Sequence, residues 1–231
     1  MSLSRRTALG LGVATGAGLL VGCSGPTIVD TGIAPDVPTR VSTLWSNRAD
    51  GPMPAAGDDG TPFSVVLSGP TERPAIRGGA LVGNLPAAPG ATYVGQRLPV
   101  PITRLGARFG FGPGDVGGAI ALVAFTGENP PRGNLHVAFT PDRWIVGVVA
   151  DGGVQEIARE SYTDPPPQDG TLAQADVRRR GATIWVNAPD GTVHRFDDPR
   201  FEAPGGVVAT WEFFKLTPDS ADVRMAATWA G

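Results

Sequence analysis

The chain has 231 residues, of which 41% are hydrophobic and 18% charged, and it carries a formal net charge of −3. That length and balance fit a folded domain with a core of its own, and the mild acidity argues against a nucleic-acid partner, because phosphate binding needs clustered Lys and Arg. With 33 Gly and 23 Pro, long helices have little room, which points to many turns and an all-β fold.

Residues 1–22 read as an export signal. Arg5 and Arg6 form a paired basic head, and residues 9–21 follow as a Gly-rich, mildly apolar stretch too short to remain as a spanning helix. The stretch ends in Leu20-Val21-Gly22-Cys23, and Cys23 is the single cysteine of the chain, so no intramolecular disulfide is available. Residues 23–40 are polar and Pro-bearing, the composition of an extended tether. At about 3 Å per residue it spans some tens of ångströms.

From residue 41 to 231 the chain reads as one β domain. A first strand carries Trp45, residues 47–60 form a loop dense in Gly, Pro and Asp, and short strands follow near residues 63–67, 80–83 and 92–95. Over residues 102–111 the alternation sets Leu105, Phe109 and Phe111 on one face and Arg104 and Arg108 on the other. The middle of the chain, Gly118 to Asp151, is a series of buried strands rich in Val, Ile, Phe and Trp. These runs are cut by Gly, Pro, Asn and Asp and never reach helix length. Residues 154–161 alternate so that Glu156 and Glu160 share a face. Pro189-Asp190-Gly191 marks a hairpin turn, and two more strands, residues 207–216 and 222–230, close the chain. The total is roughly a dozen strands by this reading. Arg178-Arg179-Arg180 reads as a solvated strand end rather than an anion site.

Two resemblances follow from these residues. Leu20-Val21-Gly22-Cys23 resembles the lipobox of bacterial lipoproteins, and Arg5-Arg6 resembles a twin-arginine leader, although Ala8 stands where a Phe is usual and leaves Sec export open. The first resemblance implies cleavage behind Gly22, acylation of Cys23 and attachment by lipid to the outer face of a membrane. A single Lys (Lys215) beside 18 Arg fits a GC-rich genome such as that of an actinobacterium. The second resemblance is of strand order. The first strand near Trp45, the strands from Gly118 to Asp151, the hairpin of residues 182–196 and a last strand bearing Trp229 that can return beside the first resemble the concanavalin A-like, laminin G-like jelly roll. It implies a two-sheet antiparallel sandwich over residues 41–231.

That fold family holds glycosidases, lyases, lectins and non-catalytic modules. The Glu-x-Asp-x-x-Glu string of its laminarinase-like hydrolases is absent. Glu156 and Glu160, four strand residues apart, would stand about 13 Å from each other, too far for the carboxylate pair of a retaining or inverting glycosidase, so solvated positions are expected. Glu212 faces away from Trp211 and Phe213 and could be a buried acid in a cleft, but a single carboxylate without an identifiable partner carries little weight. His136 and His194 sit within strands, where a structural role is expected, and no nucleophile–histidine set or metal-ligating cluster is assembled. Asp58-Asp59-Gly60 and Asp151-Gly152-Gly153 could hold a structural calcium, although Asp-Gly is also plain turn chemistry. An aromatic platform for a sugar would draw on Trp45, Trp144, Trp185 or Trp211, although in a core of this size most of the tryptophans are expected to be packing residues. The leading expectation is a non-catalytic envelope lipoprotein that binds a glycan or cell-wall polysaccharide. The alternatives are a structural or protein-binding surface lipoprotein, such as a prophage could carry, and an enzyme on envelope polysaccharide.

Overall fold

The computed structural model describes residues 38–83, 89–128, 132–150, 152–202 and 205–231. The leader, Cys23 and the tether up to residue 37 lie outside the described residues. In chain order the strands are β1 (Val41–Leu44), β2 (Gly51–Pro52), β3 (Phe63–Ser68), β4 (Ala75–Arg77), β5 (Ala80–Val82), β6 (Gly90–Arg97), β7 (Arg104–Phe111) and β8 (Gly118–Phe125). They continue with β9 (Gly133–Phe139), β10 (Arg143–Ala150), β11 (Gly153–Ser161), β12 (Ala173–Arg180), β13 (Thr183–Asn187), β14 (Val193–Asp197), β15 (Val208–Lys215) and β16 (Val223–Ala230). Among the described residues the only helical turns are two short 3-10 segments, Trp45–Asn47 and Pro199–Glu202. The strands outnumber the expected dozen partly because the very short β2 and β4 carry no hydrophobic run that a sequence pattern would reveal.

The strands pair antiparallel into two sheets. One is nine-stranded, in the order β14-β13-β12-β7-β16-β5-β4-β2 with β1 also on β16, and the other is seven-stranded, in the order β11-β10-β9-β8-β15-β6-β3. This is the expected two-sheet jelly-roll sandwich. The last strand does return beside the first, with Ser42 opposite Trp229, and the Pro-Asp-Gly turn joins β13 to β14. There Gly191 takes φ 80°, and Asp190 accepts hydrogen bonds from the Thr192 amide and hydroxyl.

Alternation decides what each strand offers the interior. Along β7, Leu105, Ala107, Phe109 and Phe111 are buried while Arg108 is exposed. The β8 strand is buried on both sides: Ile120, Leu122 and Ala124 join the main core, and Ala121 and Val123 form a smaller cluster with Ala138 and Val149 on the other side of the sheet. A strand covered on both faces reads as a continuous apolar run, which is why the middle of the chain lacks alternation. Between the sheets Phe109 meets Phe139 at 5.9 Å and Trp144 meets Phe196 at 5.5 Å. Trp211 of β15 donates its ring N–H to the Gly106 carbonyl of β7 at 2.9 Å, a direct bolt from one sheet to the other.

One expected orientation is overturned. β10 and β11 change register between Val146 and Gly147, whose partners are Ala158 and Glu156. The extra residue, Ile157, is a β-bulge that resets the alternation. Glu156 therefore stands opposite Gly147 and pairs with Arg159, whereas Glu160 stands opposite the buried Trp144 and lies 3.5 Å from His194. The two carboxylates do not share a face.

Gly106 is a position where a side chain has no room: a Cβ built there would lie 2.3 Å from the Trp229 ring. Gly106→Ala should lower the unfolding free energy by about 1–3 kcal/mol, the usual cost of an overpacked site. Urea unfolding followed by circular dichroism measures it.

Candidate functional site

The outer face of the seven-stranded sheet carries a trough of about 250 Å3. Its floor is set by register. Glu212 on β15 lies opposite Tyr93 on β6 and Ala121 on β8, and His136 on β9 lies opposite Val123. Ser64, Val66, Gly95, Val208 and Thr210 make one wall. Phe125, Gly127 and Glu128 continue it, and Val149 with Gly152, Gly153 and Val154 makes the other. Most of this lining is apolar, and its polar groups converge at the centre. His136 Nε2 lies 3.8 Å from Glu212 Oε2, and both side chains are largely buried. The Tyr93 hydroxyl donates to Glu212. Burial first, and then the charge of Glu212 and this hydrogen bond, push the Tyr93 hydroxyl far above its ordinary range, so it stays a donor. His136 Nδ1 is fully buried and without a hydrogen-bond partner.

A second hollow shares Glu128 and Val149 with the first and runs to Arg132, Gln155 and Arg200. The arrangement offers a concave apolar surface with a few convergent hydrogen-bonding groups, the usual anatomy of a small-molecule or oligomer site.

The expected aromatic platform is not built as the sequence suggests. Trp45, Trp144 and Trp211 are buried at 0%, 1% and 0% exposure, because each is drawn between the sheets where its large apolar area counts most. None can stack on a ligand from outside. Trp185 is partly exposed, as is Trp229, and both lie on the outer face of the other, nine-stranded sheet, away from the trough.

The acidic and histidine candidates separate in the same way. Glu212 is the buried acid of a cleft, and alternation does show that it points away from Trp211 and Phe213. Glu156 and Glu160 sit on the edge strand β11 and do not line the trough. His194 is a core residue beneath Trp144, with ring centroids 4.6 Å apart and Thr192 hydrogen-bonded to Nε2. His136, expected to be structural like His194, instead faces the trough. Tyr93 and His136 give no site signal in the sequence because each is a single polar residue in a strand, and only the order β9-β8-β15-β6 brings them beside Glu212.

Asp58 accepts from the Leu44 amide and from Arg48, and Asp59 from the Thr61 amide and hydroxyl. These carboxylates serve turn and loop. Asp151 lies outside the described residues, and among those described no three His, Cys, Asp or Glu side chains gather as a metal site.

No family model matches the chain, and no curated protein is detectably similar to it in sequence. Solved structures do match in fold. The VIP36 exoplasmic/lumenal domain, in its Ca2+/Man2-bound form, aligns at a TM-score of 0.56 and 13% identity over 82% of this chain and 86% of that one. The CBM2 module of the evolved Dit of Lactobacillus casei phage J-1 aligns at 0.53 and 11% identity, over 83% and 96%. A Lotus tetragonolobus seed lectin aligns at 0.51 and 11% identity, over 76% and 94%. The chain has the concanavalin A-like jelly-roll fold. At these identities the likeness concerns architecture alone.

Burial of His194 lowers its pKa below the usual 6.5, against the opposing charges of Glu160 and Asp190. A folded-state pKa below the unfolded one means that the unfolded chain binds the proton first as pH falls. The stability contributed by neutral His194 is thus full above about pH 6.5 and lost on acidification through the lowered pKa. Urea midpoints should fall between about pH 7.5 and about pH 5.5, with a shallower fall in His194→Gln.

Proposed function

We propose that this chain is a carbohydrate-binding jelly-roll domain whose ligand lies in the trough over Glu212, His136 and Tyr93, and that a lipid on Cys23 holds it at the outer face of a membrane. The observation that carries the reading is the trough itself: apolar walls with a buried carboxylate, a phenol and an imidazole converging on one spot. Sugar rings present apolar C–H faces and a rim of hydroxyls. The Val and Phe walls suit the former, while the Glu212 carboxylate as acceptor, with Tyr93 and His136 beside it, suits the latter. Carbohydrate-binding modules and lectins among proteins of the same fold support this use of the scaffold. The lipobox-like Leu20-Val21-Gly22-Cys23 supports the location.

The test uses residues 38–231 with a panel of purified envelope polysaccharides, read for retention and for released reducing ends or unsaturated products in the same samples. Retention without products supports binding alone. Glu212→Gln and His136→Ala should each weaken retention about tenfold, a loss of roughly 1.4 kcal/mol, with the unfolding midpoint checked alongside. No retention on any glycan would sink the reading and favour a protein partner. The second reading, turnover of the bound glycan, is favoured by the 3.8 Å approach of His136 to Glu212, an acid–base pair in a sheltered site. Products that vanish in Glu212→Gln would establish it. For the anchor, cells expressing the full chain and fed radiolabelled palmitate should label the wild type, and Cys23→Ala should carry no label.

A further inference from the structure

The outer face of the nine-stranded sheet is the electrostatic opposite of the whole chain. By register and alternation it presents Arg104, Arg108, Arg178, Arg180, Arg195 and Arg224 against Asp176 and Asp197, in a protein whose net charge is −3. The patch is built rather than incidental. Asp176 is only 2% exposed, and its carboxylate receives Arg104 Nε at 2.8 Å, Arg178 Nε at 2.7 Å and Trp229 Nε1 at 2.8 Å. One buried anion thereby fixes two guanidinium groups and one indole on the same surface. Trp185 lies opposite Arg178 on one side and Arg195 on the other, and Leu44, 47% exposed, pairs with Ala227, beyond Ser42, which stands opposite Trp229.

The chain also enters the fold at this face. β1 runs beside β16, the Arg40 amide donates to the Ala230 carbonyl, and Arg104 Nη1 donates to the Thr39 hydroxyl. Thr39 and Arg40 therefore lie beside Arg104 and Ala230.

We propose that this face docks on an anionic phospholipid bilayer. Arginines meet headgroup phosphates, and the indoles and Leu44 enter the interfacial layer, where aromatic rings with a polar edge are favoured. A soluble polyanion would satisfy the arginines but offer nothing to the leucine and the rings. The trough opens on the other sheet, so a domain docked in this way holds its trough away from the lipid. The proposal goes beyond glycan binding and relies on the lipid anchor only for the nearness of a bilayer.

All members of the main core fall between Val41 and Ala230, so residues 38–231 contain the whole core and can be tested without Cys23. Flotation with vesicles of phosphatidylglycerol and phosphatidylcholine is compared with flotation on phosphatidylcholine alone. Binding is expected only to the anionic vesicles, to fade as salt shortens the Debye length, and to drop about twenty-five-fold in the double variant Arg108→Gln/Arg180→Gln, about fivefold for each charge removed. Both arginines are exposed and outside the Asp176 network, so the fold and glycan retention should be unchanged. Brominated lipid should quench the tryptophan fluorescence of the wild type and quench Trp185→Phe less. Absence of binding to anionic vesicles at low salt, equal binding to both vesicle types, or undiminished binding by the double variant would overturn the proposal. Efficient displacement by soluble poly(glycerol phosphate) would also do so, pointing to a polymer instead. Failure here leaves the trough reading intact, since that is read on glycans with different residues.

Discussion

The structure turns on the contact between Trp211, Gly106 and Trp229. Trp211 reaches across the interior and gives its ring N–H to the Gly106 carbonyl, and Trp229 lies over the space where a Gly106 side chain would stand. A sandwich is held mostly by apolar burial, which is strong but has no direction. A buried donor that must find an acceptor adds direction, because leaving it unpaired costs more than the bond returns when made. The bond therefore fixes how β15 sits above β7. That placement carries Glu212 on one outer face and Asp176 on the other.

Each outer face then holds one buried carboxylate, used in opposite ways. Asp176 is saturated by two arginines and an indole, so its charge is spent on fixing a surface. Glu212 has Tyr93 as donor and His136 at 3.8 Å, with His136 Nδ1 still unpartnered. A saturated network is rigid and specifies geometry, whereas an unsaturated one stores a demand for a partner. This contrast supports reading the trough as the ligand site and the arginine face as a docking surface.

The apolar balance of the two faces follows the same division. On the seven-stranded sheet, Ala121, Val123, Ala138 and Val149 are buried on the outer side as well, so the trough lies on a second, small core. The nine-stranded sheet has only one apolar side along β7 and β12, whose outer side chains are Arg104, Arg108, Gln174, Asp176, Arg178 and Arg180. A sheet buried on both faces must be apolar throughout, while a sheet with one wet face alternates.

The amino-acid sequence by itself determined the all-β class, the Pro-Asp-Gly hairpin, the burial of Leu105, Phe109 and Phe111, and the outward aim of Glu212. Each of these depends on the period-2 geometry of a strand or the local chemistry of a turn, which neighbouring residues settle among themselves. Tertiary structure alone decided that Trp45, Trp144 and Trp211 are core, that a bulge at Ile157 parts Glu156 from Glu160, and that His136 and Tyr93 meet at Glu212. Strand order and register join residues far apart in the chain: Tyr93, His136 and Glu212 come from β6, β9 and β15. No local pattern encodes which strand will lie beside which, because that choice is made by the packing of the whole sandwich.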